Sequence, residues 1–128
     1  MHDAGCLPDP ATNAYCYVEA AVNSNPSDLY FYQLPLGVSL PVSTMSTCSG
    51  CTKSLLAMYA AALGNGAELA NLGGLKATYG HAAKLANAEC GQGYAASSAS
   101  SSNAIPHSRP VPWTGAVLVA ALWWLLVP

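Results

Sequence analysis

"STCSGCTKSLLAMYAAALG", residues 46–64, sets two cysteines three positions apart at the head of an apolar run. From Thr47 to Leu63 the residues are mostly strong helix formers, and Cys48, Cys51, Leu55, Met58 and Ala62 fall on one stripe. Gly64-Asn65-Gly66 supplies a stop. The stretch therefore predicts a helix that carries sulfur on its buried face. Three chemistries use such a pair: dithiol redox, metal ligation and structural crosslinking.

The redox reading needs a strand before the pair and a parallel strand after it. "LPLGVSLPVSTMST" before Cys48 is loop-like, with two prolines, and nothing downstream reads as a parallel strand. A zinc site needs a second ligand pair. The remaining choice, Cys90 with His81, is nine residues apart on what reads as one helix. Structural disulfides fit best.

The chain has 128 residues and five cysteines: Cys6, Cys16, Cys48, Cys51 and Cys90. The odd number leaves at least one with a partner outside the set or unpaired, and sequence alone leaves the pairing open. The preferred arrangement ties the Cys48/Cys51 helix to Cys90, with Cys6 and Cys16 closing a local loop or one of them reaching upstream.

Around this centre the sequence reads as all-α. Thr12 or Asn13 is placed to cap a helix running to Val22, with Tyr15, Val18 and Val22 at helical spacing. Pro26, Ser27 and Asp28 open a short helix over Leu29–Gln33, expected to stop before Pro35. Residues 34–46 form an extended loop. Gly73-Gly74 breaks the chain, and a last helix runs from Leu75 to Glu89 with Leu75, Tyr79, Ala82 and Leu85 inward and Gly91 as its cap. The expectation is a small, disulfide-stapled helical domain with long loops over residues 1–94.

Beyond residue 94 the composition changes. Residues 95–112, "AASSASSSNAIPHSRPVP", form a Ser/Ala/Pro linker, and residues 113–128, "WTGAVLVAALWWLLVP", carry no charge. The apolar tail is shorter than the roughly 20 residues of a stable span, and no basic flank follows it. Small residues at Ser102, Asn103 and Ala104, a spacer over 105–112 and the tail match a glycosylphosphatidylinositol (GPI) signal. Ser102 or Asn103 is the expected attachment residue. The partner is then a membrane, reached through a lipid. Such a chain enters the secretory pathway, yet "MHDAGCLPDPATNAYC" has no basic or apolar leader region. The expectation is a precursor whose beginning is missing, with further cysteines upstream.

Four basic residues against six acids, with three lysines before residue 95, form no patch for a phosphate backbone. Nucleic acid is not an expected partner, and no cofactor motif is present. No Ser/His/acid constellation stands out. His81 is a conceivable base, but a lone helical histidine is more often a packing or surface residue. Asp28 beside Tyr30 and Tyr32 marks a candidate ligand patch for a wall polysaccharide or small molecule; the plainer reading is a first-turn carboxylate with core tyrosines.

"AGCLPDPATNAYCYVEAAVN", "NPSDLYFYQLPLGVSLP", "CSGC" and "ATYGHAAKLANAECG" together resemble the C-terminal half of an uncharacterised fungal family. The resemblance covers roughly residues 4–94. It implies a secreted, cysteine-rich, often GPI-anchored protein with a domain of unknown function, and it carries no catalytic residues. Three functions follow as expectations: a cell-surface or cell-wall protein with a structural or interaction role, an extracellular carbohydrate- or small-ligand-binding module, and a secreted enzyme whose active site lies in an absent N-terminal half.

Overall fold

The computed structural model describes residues 2–97. Five α-helices follow in order: α1 (His2–Gly5), α2 (Cys16–Val22), α3 (Ser27–Tyr30), α4 (Gly50–Gly64) and α5 (Gly73–Cys90). Two 3-10 segments, Phe31–Leu36 and Leu69–Asn71, join them. The described residues hold no strand, only an isolated bridge between Pro8 and Tyr15. The described residues are thus helical and stapled by two disulfides, the fold class the sequence predicts.

Helix α4 starts three residues later than the sequence suggests. Ser49 is its N-cap and accepts from the Thr52 N–H at 3.1 Å, satisfying a donor that the helix cannot. Cys48 therefore lies before the helix, in a left-handed conformation with φ 56°. The buried face of α4 is Cys51, Thr52, Leu55, Leu56 and Tyr59, while Met58 and Ala62 are only partly buried. The expected stripe is rotated toward Leu56 and Tyr59.

Helix α5 buries Leu75, Thr78, Tyr79, Ala82, Ala83 and Ala86. Its alanines and Leu75 face Phe31, Leu34, Leu55 and Leu56, all of them essentially without solvent contact. Gly73-Gly74 opens this helix and does not break the chain. The reason is close approach: a Cβ on Gly74 would lie 2.5 Å from the Pro35 carbonyl oxygen and 2.7 Å from the Gly37 nitrogen. Thr78 seals the same contact by donating to the Leu34 carbonyl at 2.8 Å.

The segment after α3 does not stop before Pro35. It continues as 3-10 turns to Leu36, a geometry that proline's fixed φ suits. Gly37, at φ 82°, ends it; its N–H donates to the Leu34 carbonyl at 3.0 Å and Val38 N–H to Gln33 at 3.4 Å.

Helix α2 differs most from expectation. Its inward residues are Cys16 and Ala20, and Tyr15, Val18 and Val22 stand in solvent. The bridge from Cys16 fixes the helix's rotation, overriding the larger apolar stripe.

The stack continues past the last helix. Ala95 is buried, Asn87 exchanges two 2.8 Å bonds with its backbone, and Tyr79 donates to the Ala96 carbonyl at 2.7 Å. The candidate attachment residues Ser102 and Asn103 and the apolar tail at 113–128 lie outside the described residues. No described helix is long and apolar enough to cross a membrane.

Candidate functional site

The two disulfides organise everything around the α4 N-terminus. Cys48 pairs with Cys90, closing 42 residues, and Cys51 pairs with Cys16, closing 35. The first bridge is the predicted tie between the Cys48/Cys51 segment and the end of α5. The local Cys6–Cys16 loop does not form. Cys16 is fully buried against α4, whereas Cys6 follows α1 with its side chain exposed and its sulfur free. Cys48 and Cys51 do not bond to each other, because one lies outside the helix and the other on its inner face.

A cleft of about 100 Å³ opens beside the Cys16–Cys51 bridge, between α2, the α3 region and the α4 N-terminus. Helix α2 supplies Cys16, Glu19 and Ala20, its i, i+3 and i+4 positions, and its C-cap residue Asn23 completes that side. Asp28 and Tyr32 come from the next turns, and Thr47 and Ser49 from the approach to α4. Of the residues singled out in the sequence, Asp28 and Tyr32 thus meet at one cleft. Tyr30 does not join them; it packs partly buried against the core. Glu19 and Asn23 escape a sequence reading because the orientation of α2 follows from a bridge that spacing leaves open.

Asp28 is a buried carboxylate, 6% exposed. It accepts the Thr47 N–H at 3.1 Å and also the Thr47 hydroxyl. Both oxygens are engaged, which holds the loop before Cys48 against α3. Tyr32 presents a different balance. Its ring packs edge-on to Tyr17, 5.1 Å between centroids, but its hydroxyl is buried without a hydrogen-bond partner. Burial first, then the charges of Asp28 and Glu19, push the Tyr32 phenol up to about 12. It therefore stays neutral and able to donate across the physiological range.

Near the bridge, Asp9 Oδ2 lies 3.2 Å and Glu19 Oε2 3.4 Å from the Cys51 sulfur. Asp9 Oδ1 caps a turn by accepting from Thr12 N–H at 3.0 Å, and the backbone N–H groups of Ala11 and Thr12 hold its carboxyl below the usual range. Asp9, Cys16 and Cys51 present ligand atoms within 4.8 Å of one another, a spacing a metal ion could use. Both sulfurs are consumed in a covalent bond, so neither is a thiolate ligand while the bridge is closed. The same holds for Cys48 and Cys90, which a zinc site would have used as ligands alongside Cys51 and His81.

A family model described as a domain of unknown function, DUF7729, matches residues 1–99. The chain belongs to the DUF7729 family. No curated protein and no solved structure matches it. The match spans the whole stapled helical unit and reaches past Ala95 and Ala96, the residues that close back on α5. The DUF7729 unit is therefore the packed body described above together with its returning C-terminal strap.

Proposed function

We propose that this DUF7729 chain is a cell-surface or cell-wall protein of structural or interaction role, carried on a Ser-rich stalk and held to the outer leaflet by a GPI lipid. The single observation that supports it is the pair of long-range disulfides. They join the α4 N-terminus to both α2 and the end of α5, and such crosslinks persist in oxidising compartments. The tail sequence gives the route to the surface, and the fungal affiliation follows the resemblance noted above. The test is release: phospholipase that cleaves GPI lipids frees the protein from intact cells, and its C-terminal peptide ends near Ser102 or Asn103. Retention after treatment, or recovery of the peptide containing Trp123 and Trp124, contradicts the reading.

A second reading is favoured by one feature, the cleft that Glu19, Asp28 and Tyr32 line beside the Cys16–Cys51 bridge. In this reading the domain is an extracellular small-ligand or carbohydrate-binding module. Binding on a glycan array that disappears in Tyr32→Phe supports it; binding unchanged by that variant places recognition elsewhere.

A further inference from the structure

We propose that the Cys48–Cys90 bridge is a thiol–disulfide exchange site that an external dithiol opens in the folded domain, while Cys16–Cys51 is the permanent staple. Both bridges leave the same end of α4, yet their surroundings differ in access, in charge and in backbone strain.

Access comes first. Exchange requires a thiolate to reach a bridge sulfur, so its rate follows exposure. Cys16 has no solvent contact and Cys51 is 7% exposed. Cys48 is exposed and Cys90, the last residue of α5, is partly so.

Charge acts in the same direction. Asp9 Oδ2 and Glu19 Oε2 lie 3.2 and 3.4 Å from the Cys51 sulfur. The cleft that leads to this inner bridge is lined by Glu19 and Asp28 and by no lysine, arginine or histidine. An attacking thiolate is an anion, and a concavity walled by its own sign of charge repels it. The same carboxylates disfavour a thiolate leaving from Cys51. Glu89 stands next to Cys90, but it is exposed and engages Ser46 N–H at 2.7 Å, so water and salt screen it.

Strain separates the bridges too. Cys48 sits at φ 56°, in the left-handed region that a residue with a Cβ enters at a cost. Cys16 and Cys51 are helical residues of α2 and α4. Exposed and strained disulfides are the ones that yield to exchange.

The ends stay together when the bond opens. Ser46 N–H holds Glu89, Thr47 N–H holds Asp28 at 3.1 Å, and the Ser49 carbonyl accepts from the Tyr94 hydroxyl. These bonds flank Cys48 on both sides, and the inner bridge still ties α4 to α2. Opening therefore leaves two thiols at the surface opposite each other, and closing restores the same pair.

The exchange balances without another reactant. One thiolate of the dithiol attacks the Cys48 sulfur; the bond to Cys90 breaks, and Cys90 leaves as a thiolate that takes up a proton. The second thiol then attacks the dithiol's own sulfur in the mixed disulfide, closing a cyclic disulfide and releasing Cys48, which is protonated in turn. Two electrons and two protons pass from the dithiol to the bridge.

The test is stepwise reduction of the oxidised, full mature protein with dithiothreitol. Each step is quenched by alkylation and mapped by mass spectrometry, with far-UV circular dichroism in parallel. Cys48 and Cys90 are expected to be alkylated at a dithiothreitol concentration about tenfold below that needed for Cys16 and Cys51, with the helical signal retained. Exchanging the reductant for oxidised glutathione is expected to restore Cys48–Cys90. Glu19→Gln should speed alkylation of Cys16 and Cys51 severalfold and leave Cys48 and Cys90 unchanged; equal rates in parent and variant overturn the role given to charge. Four outcomes overturn the proposal: alkylation of all four cysteines together, of Cys16 and Cys51 first, of Cys48 and Cys90 only as the helical signal is lost, or re-closure to a different pair.

Discussion

The Tyr94 hydroxyl donates to the Ser49 carbonyl at 2.6 Å, across 45 residues of chain. Ser49 is the N-cap of α4, and the same carbonyl accepts from Lys53 N–H at 3.1 Å. The strap after α5 thus clamps the start of α4 next to the Cys48–Cys90 bridge, which ties the same two segments covalently. Ser46 adds a third link by donating its N–H to Glu89 at 2.7 Å.

Tyr94→Phe keeps the ring's packing and deletes this bond. The expected loss is about 1 kcal/mol, read as a lower urea midpoint with an unchanged slope. A midpoint equal to the parent's would mean the strap adds nothing to α4.

Gly74 and Gly80 make a matched pair on α5. A Cβ at Gly74 meets the Pro35 and Gly37 backbone below 3 Å, whereas at Gly80 it meets nothing within 4 Å. Gly74→Ala should destabilise by about 1–3 kcal/mol through overpacking. Gly80→Ala should stabilise by up to about 1 kcal/mol through helix propensity. Thermal melts of the two variants check the sign, and a destabilised Gly80→Ala contradicts the packing described.

Titration in alkali follows from Tyr32. Its phenol is raised to about 12 from an ordinary 10.0, so the folded state favours the neutral form. The resulting stability is complete below pH 10 and is lost as pH rises toward 12. Tyr79 and Tyr94 shift the same way, chiefly by burial. Denaturant midpoints measured at rising pH should fall over this window, and less steeply in Tyr32→Phe. The acid side runs the other way: the depressed Asp9 carboxyl lends stability above its unfolded value, lost as pH falls through its folded one.

Much of the architecture was legible in the residues. Strong helix formers over 47–63 and 75–89 gave two long helices, which the structure places at Gly50–Gly64 and Gly73–Cys90. A tie from the Cys48/Cys51 segment to Cys90 followed from where those helices begin and end, but not that Cys48 is the one that makes it. Legibility ended where a tertiary link decided a rotation. Cys16 turns inward to reach Cys51, so Val18 and Val22 are exposed and Glu19 and Asn23 face the cleft. Helical periodicity alone ranks the apolar stripe higher, and no local signal reveals a covalent bond 35 residues away. Gly74 was misread for a related reason. Glycine marks a chain break and a close backbone approach alike, and only the Pro35 carbonyl distinguishes them.

Removing either bridge weakens a core rich in alanine. Each closes a loop of 35 or 42 residues, for which the chain-entropy model gives about 3–4 kcal/mol. The Cys48→Ser/Cys90→Ser double variant should melt well below the parent, and a melt at the parent's temperature would count against stapling as the source of stability.

In the mature domain Cys16 is joined to Cys51, Cys48 is joined to Cys90, and Cys6 lies outside both bridges. Peptide mapping by mass spectrometry, on protein taken from cells with free thiols blocked at once, tests this pairing most directly. Those two crosslinked peptide pairs are expected, with Cys6 in neither. Recovery of all four sulfurs as blocked thiols, or of a peptide joining Cys6 to Cys16, contradicts it.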